Sequence, residues 1–227
     1  MWINKYLASQ GYATRRGADD LVKAKKVFIN GRLAVATDKV AEGDKVEVKG
    51  AAKTAYRYYA YNKPRGVITH SAQGEAEEEI KELVPLKGIF PVGRLDKASR
   101  GLIILTNDGR ITDRLLSPQY AHDKEYEVKV EPMLKSNFKT KMERGVNIEG
   151  YKTKPAKVTI LNNNVFRIIL TEGKKHQIRR MCAAFDYAVR DLKRTRVMNI
   201  KLDKLAEGEY REIKGDELKT FLTGLGL

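Results

Sequence analysis

The apolar positions at the start of the chain recur at helical spacing. Ile3, Tyr6 and Leu7 share one face, and Gly11 stands where a helix C-terminal glycine would, so a short first helix is predicted. Thr14 can cap a second helix that opens with Arg15-Arg16 and turns Ala18, Leu21 and Val22 inward. The pattern then changes to extended: Val27-Phe28-Ile29, the turn pair Asn30-Gly31, residues 33–35, and Gly43-Asp44 ahead of Val46-Glu47-Val48. Two helices and a small strand set thus fill residues 1–50. The weakly patterned stretch 51–55 is a predicted linker, and a larger domain is expected over 56–227.

That domain reads as strand-rich. Extended runs are predicted at 58–61 and 67–69, joined by Lys63-Pro64-Arg65-Gly66, followed by an acidic helix around 77–83. Residues 101–106 form an apolar run that suits a buried strand, and Asn107-Asp108-Gly109 turns it into a helix ending near Leu116. An alternating strand at 124–130 and a helix at 134–143 come next. A hairpin over 157–161 and 166–171 turns at Asn162-Asn163-Asn164. Helical spacing returns at 175–185, two extended runs follow at 188–192 and 194–201, and a helix closes the chain at 216–222. The predicted class is α+β, with a mixed, mainly antiparallel sheet and flanking helices.

Composition narrows the function. With 44 Lys+Arg against 29 Asp+Glu, the 227-residue chain carries a net charge of +15, which favours polyanions, nucleic acid ahead of a membrane surface. No apolar run approaches the roughly 18 residues of a membrane span, and Met1-Trp2-Ile3-Asn4-Lys5-Tyr6 has no apolar signal core, so a cytoplasmic protein is expected. Cys182 is the single cysteine and lies in a helical pattern with Ile178, Met181 and Phe185, which predicts a core filler. His70, His122 and His176 are scattered without zinc-ligand spacing, so no metal site is expected.

Chemistry is most concentrated around Asp96. This carboxylate sits in a loop among Arg94, Lys97 and Arg100, directly before the apolar strand that would hold the loop on a rigid edge. On composition alone, a surface ion pair with Arg94, Lys97 or Arg100 is the slightly better account of Asp96. The longer pattern decides otherwise: Gly93-Arg94-Leu95-Asp96, then 101–105 and Thr106-Asn107-Asp108-Gly109, closely resembles the catalytic segment of the RsuA-type pseudouridine synthases. Asn62-Lys63-Pro64-Arg65-Gly66 resembles that family's opening turn, Lys124-Glu125-Tyr126 its tyrosine motif, and residues 172–181 its third catalytic segment. Residues 1–50 resemble the S4 RNA-binding module that precedes this domain, and Lys193-Arg194-Thr195-Arg196-Val197-Met198-Asn199 looks most like the RluF branch, whose substrate is large-subunit ribosomal RNA.

The resemblance implies a cofactor-free isomerisation of uridine in structured RNA. The N1–C1′ bond breaks, the uracil turns over, and C5 takes the place of N1. It makes Asp96 the catalytic carboxylate, acting either on C1′ or on the C2′ proton. Arg179 is implied to pair with Asp96 and keep it ionised, and Tyr126 to stack on the extruded uracil. Arg94 is placed to help displace the nucleotide, Lys63 to support the site, and Ile178 to wall the uracil pocket, with core packing an equal account of Ile178. Arg15, Arg16 and Lys5, extended by Lys23, Lys25, Lys26 and Arg32, form the implied RNA grip, reading shape and backbone. Large-subunit ribosomal RNA is the expected partner, small-subunit or transfer RNA the alternatives, and the chain is expected to act as a monomer. Two competing classes remain at this stage: a non-catalytic ribosome-assembly protein, and a metal-assisted nuclease, which would want more carboxylates than Asp96 and the separate Asp108 supply.

Overall fold

The computed structural model describes residues 1–51, 55–70 and 78–227; residues 52–54 of the predicted linker and 71–77 of the acidic segment lie outside the described residues. Helices α1 (Ile3–Ser9) and α2 (Arg15–Lys23) pack on a small antiparallel sheet of β1 (Val27–Ile29), β2 (Arg32–Leu33) and β3 (Val46–Val48), ordered β2-β1-β3. Ile3, Leu7, Ala18, Val22, Val27, Ile29, Ala34 and Val40 form the core between them. The capping residue works as predicted: the Gly17 N–H donates to Thr14 Oγ1 at 3.2 Å. Asn30 and Gly31 both take positive φ, 51° and 81°, as the two-residue turn between β1 and β2 requires.

The remaining described residues build a nine-stranded sheet. Its path runs β10-β11-β7-β12-β6-β4-β14, with β13 beside β12 and β5 beside β6. In chain order these are β4 (Tyr58–Lys63), β5 (Phe90–Val92), β6 (Arg100–Thr106), β7 (Lys124–Glu131), β10 (Lys157–Asn162), β11 (Val165–Leu170), β12 (Ala188–Val197), β13 (Ile200–Lys201) and β14 (Tyr210–Glu212). A separate hairpin joins β8 (Asn147–Ile148) to β9 (Tyr151–Lys152), and the helices are α3 (Ile80–Leu83), α4 (Arg110–Leu116), α5 (Phe138–Glu143), α6 (Gln177–Ala183) and α7 (Gly215–Gly224). Among the described strands every pairing is antiparallel except β12 with β6.

Several predicted elements change shape. The run at 67–69 forms only an isolated parallel bridge, Ile68 to Glu79, while the Thr69 side chain bonds the Leu95 backbone. The helix expected at 134–143 shortens to Phe138–Glu143. The two runs at 188–192 and 194–201 begin as one ten-residue strand, β12, whose register against β7 slips between Val189 and Asp191 and between Arg194 and Arg196. Bulges that insert an unpaired residue break the alternation a sequence pattern relies on.

Register and burial assign the two faces of the sheet. Val128, Ile168 and Leu192 belong to a cluster with Phe138, Ile178 and Met181, so α5 and α6 cover that face. Tyr61, Ile103 and Leu105 belong to a second cluster with Val67, Ile80 and Val84. By the two-residue period of strands, both clusters lie on the same face. The opposite face carries Tyr58, Leu102, Ile104 and Val197 under Leu115 of α4 and Phe221 of α7. Between the two covered regions of the first face runs one row of paired residues: Ile168, Tyr126, Arg194, Gly101 and Lys63, on β11, β7, β12, β6 and β4.

Candidate active site

The row from Tyr126 to Lys63 runs across the sheet, and the loop carrying Asp96 lies within electrostatic reach of its Lys63 end. This loop joins β5 to β6, and its backbone is tied down on every side. The Leu95 N–H donates to the Thr69 hydroxyl at 3.1 Å, and that buried hydroxyl donates back to Leu95 O at 2.9 Å. The Gly66 N–H donates to Lys97 O at 2.8 Å, and the Ser99 N–H closes a turn onto Asp96 O at 2.9 Å. Leu95 is buried while the Asp96 side chain remains 38% exposed, so the loop is fixed and the carboxylate is presented.

Arg179 lies in the first turn of α6 and holds the same loop. Its guanidinium donates to Ala98 O at 3.2 Å, to Ser99 Oγ at 3.3 Å and to Val189 O at 3.2 Å. The implied Asp96–Arg179 ion pair is therefore replaced by a clamp on the residues just after Asp96. Among the described residues it is the imidazole of His176 that comes within ion-pair distance of Asp96, its Nε2 lying 3.4 Å from Oδ1. His176 adopts the left-handed region, φ 54°, immediately before α6. Buried Glu172 fixes this entry: its carboxylate accepts from Gln177 Nε2 at 2.8 Å, from the Lys154 N–H at 3.0 Å and from the Tyr151 hydroxyl. The Lys174 N–H in turn donates to Gln177 Oε1 at 2.9 Å, so the motif 172–181 builds the turn that aims Arg179 and His176 at the loop.

Lys63 departs from the fate expected of a turn lysine. It is fully buried, and its Nζ donates to Pro64 O at 2.8 Å and to Val67 O at 2.7 Å, closing the turn that bonds the Asp96 loop through Gly66. Burial lowers its pKa to about 8, opposed by the charge of Asp96 and reinforced by that of Arg194. Unfolded lysine titrates near 10.5, so between about 8 and 10.5 the folded chain binds fewer protons and its stability rises with pH. Lys63→Met should flatten the rise of stability over that pH window, read by denaturant titration at several pH values.

Tyr126 is partly buried against the apolar cluster beneath α6, and its hydroxyl donates to no described residue. Ile178 is 4% exposed within that cluster, so it is a core residue under the tyrosine. Arg94 is exposed and makes no ion pair with a described residue. Arg65 and Arg100 share Asp191, with Arg100 also bonded to Glu207 at 2.6 Å, which ties the opening turn, β6 and β12 together. Asp108 serves structure: fully buried, it accepts from the Tyr58 hydroxyl at 2.5 Å and from Arg110 at 2.9 Å. Cys182 is buried in the core as expected, and burial pushes its thiol up to about 12. Among the described residues no three carboxylate, histidine or cysteine side chains gather in a metal-binding group.

On the N-terminal unit Lys5, Arg15, Lys23, Lys25 and Lys26 are exposed, while the side chain of Arg16 lies outside the described part of the structure. Arg32 is less free than expected, because it pairs with Asp38 at 2.9 Å. No described helix is long and apolar enough to cross a membrane.

The family described as RNA pseudouridylate synthase matches residues 57–184, and the S4 domain matches residues 1–46. The chain belongs to the RNA pseudouridylate synthase family. This synthase is 41% identical, over 95% of its length and 76% of the relative's, to the dual-specificity RNA pseudouridine synthase RluF of Salmonella typhi. It is 34% identical to the ribosomal large subunit pseudouridine synthase B of Bacillus subtilis, over 96% of its own chain and 93% of the other. A solved structure described as pseudouridylate synthase superposes with a TM-score of 0.72 at 28% identity, covering 99% of both chains. The S4 match covers the two helices, β1, β2 and the start of β3, and the synthase match spans the Asp96 loop, Tyr126 and Arg179. Sequence reasoning missed the parts played by Thr69, Ser99, His176 and Arg194; the third motif contains His176, but only the fold shows it facing Asp96.

Proposed function

We propose that this synthase isomerises a uridine of large-subunit ribosomal RNA, with Asp96 as the catalytic carboxylate. The observation that carries this reading is the placement of Asp96 on a rigid loop next to the sheet row that contains Lys63, Arg194 and Tyr126. The uridine is extruded from the RNA, at an unstacking cost of a few kcal/mol. Its ribose meets Asp96, which adds to C1′ or removes the C2′ proton, and its base lies against the Tyr126 ring. Arg179 acts through the loop rather than on the carboxylate, and Lys63 supports the loop from beneath. Arg94, exposed two residues before Asp96, faces the RNA and helps hold the nucleotide out of its stack.

Large-subunit RNA is favoured because relatives over nearly the whole chain include a ribosomal large subunit synthase. The dual-specificity relative brings a second RNA into the test, with transfer RNA the candidate. Pseudouridine mapping of ribosomal and transfer RNA from cells with and without the gene should show a large-subunit position that is lost on deletion and restored by the wild-type chain. An unchanged map in both RNA pools would end this proposal.

Residues 1–50 are proposed as the grip, with 56–227 carrying the chemistry. Neutralising phosphates releases counterions, so log K should fall with log salt by roughly 0.7 per phosphate on single-stranded RNA. Arg15→Ala combined with Arg16→Ala should weaken binding about 10-fold and make that slope shallower by about one to two phosphates, with the maximal rate unchanged. Filter binding across a salt series measures it, and an unchanged slope would show that the grip lies elsewhere.

A further inference from the structure

Arg194 has a burial that nothing in the reaction outlined above uses. It is 5% exposed, at the centre of the row between Tyr126 of β7 and Gly101 of β6. Its Nε donates to Leu102 O at 2.6 Å, which fixes the plane of the guanidinium. The terminal nitrogens donate to no described residue, and they are not among the described polar atoms sealed in the interior without a partner. Its charged neighbours do not neutralise it. Lys63 lies within its electrostatic reach on one side and Lys124 on the other, and each lysine is lowered to about 8 by burial first and by Arg194 among the charges that follow. A desolvated guanidinium with free N–H groups, flanked by cations and without a carboxylate of its own, is poised for an anion.

Resting on the function proposed above, we infer that Arg194 is a further catalytic residue, which binds the uracil ring while it is detached from the ribose. When the N1–C1′ bond breaks, its electron pair stays on N1 and spreads onto O2 and O4, so the free base is an anion. The base turns, C5 bonds to C1′, the C5 proton leaves, and N1 takes up a proton; no electrons are gained or lost overall. A fixed cation stabilises this species more than the neutral nucleotide, which is the requirement for lowering the barrier. Burial favours the base over the backbone: Arg194 is 5% exposed and pairs in register with Tyr126, the residue proposed above to lie against the extruded base. A phosphate contact would appear as an affinity effect instead.

The test compares Arg194→Gln and Arg194→Met, the second filling the volume should the first fold poorly, with Arg194→Lys and wild type. Each is assayed in single turnover on RNA containing uridine and on the same RNA containing 5-fluorouridine, by loss of the parent nucleoside. Fluorine withdraws electrons and stabilises the detached base by itself. The neutral variants should lose about 100-fold on uridine, the scale of removing one donor to a developing anion, but about 10-fold or less on 5-fluorouridine. Arg194→Lys should retain more activity than either, and RNA affinity should stay within about twofold. Equal losses on the two substrates, or a loss confined to affinity, would overturn the assignment. Wild-type failure on uridine RNA would instead reject the proposed function, so the two failures are distinguishable.

Discussion

Asp96→Asn should abolish isomerisation, lowering the single-turnover rate by about four orders of magnitude or more, as removal of an essential nucleophile or base does elsewhere. The substitution is close to isosteric. The carboxamide can neither add to C1′ nor accept the C2′ proton, so both chemical routes close together. The backbone of the loop should persist, because its ties run through Leu95, Lys97, Ala98 and Ser99 and use the Asp96 main-chain carbonyl rather than its side chain. RNA affinity should therefore change by less than about twofold, the outcome that separates chemistry from holding. Tritium release from RNA labelled at uridine C5 reads the reaction directly, and full activity in this variant would refute the assignment of Asp96.

Gly101→Ala should be the most damaging single change to the fold near the site. Gly101 has φ +105°, and a Cβ there would stand 2.3 Å from Arg194 O and 2.7 Å from Arg194 N. These are backbone atoms of the neighbouring strand, so relief requires β6 and β12 to part at their only parallel pairing among the described strands. The expected loss is about 3–5 kcal/mol, the range of severe steric and backbone effects, which for a chain of this size lowers Tm by about 10 °C. Gly66→Ala is the control: it also has positive φ, 92°, but a Cβ would meet nothing within 4 Å, so only the conformational cost of about 1–2 kcal/mol applies. Differential scanning calorimetry on both variants checks the order, and equal losses would show that the contact with Arg194 is not the cause. Because Gly101 separates Arg194 from Lys63 in the row, activity should fall with it in the fraction that remains folded.

The N-terminal module was legible because its signals are local. Thr14, Gly11 and Asn30-Gly31 act on the residues beside them, and helical spacing identified the inward positions Ile3, Leu7, Ala18 and Val22. The buried strand β6 and the hairpin of β10 with β11 were equally plain, since continuous apolar character or alternation survives without tertiary information. Short strands escaped: β5 contains Pro91, and β14 has only three residues, so neither carries a pattern above background. β12 looked divided into two extended runs because its bulges shift the inward positions, and Lys193-Arg194-Thr195-Arg196 offers no apolar residue to carry the alternation on from Leu192.

At the site, Asp96, Tyr126 and Arg179 were visible as motif positions, while their relations were not. The pairing of Arg179 with the loop backbone, the approach of His176 to Asp96 and the burial of Lys63 depend on which strands neighbour one another. Lys63 in particular sits beside Pro64 in a turn that looks exposed, and only the parallel register of β12 with β6 puts Arg194 in its row. A step of two from Leu192 to Arg194 was the one signal available, and it acquires meaning only once Leu192 is known to be buried.

Catalysis as proposed requires an everted uridine lying against the Tyr126–Lys63 row with its sugar next to the Asp96 carboxylate. A crystal structure of the Asp96→Asn variant bound to substrate RNA measures this directly. The predicted result is a separation of about 3–3.5 Å between C1′ or C2′ and the residue 96 side chain, the distance of a near-attack geometry, with the uracil against Tyr126. A target base still stacked in the RNA, or bound on the opposite face of the sheet under α4 and α7, would contradict it.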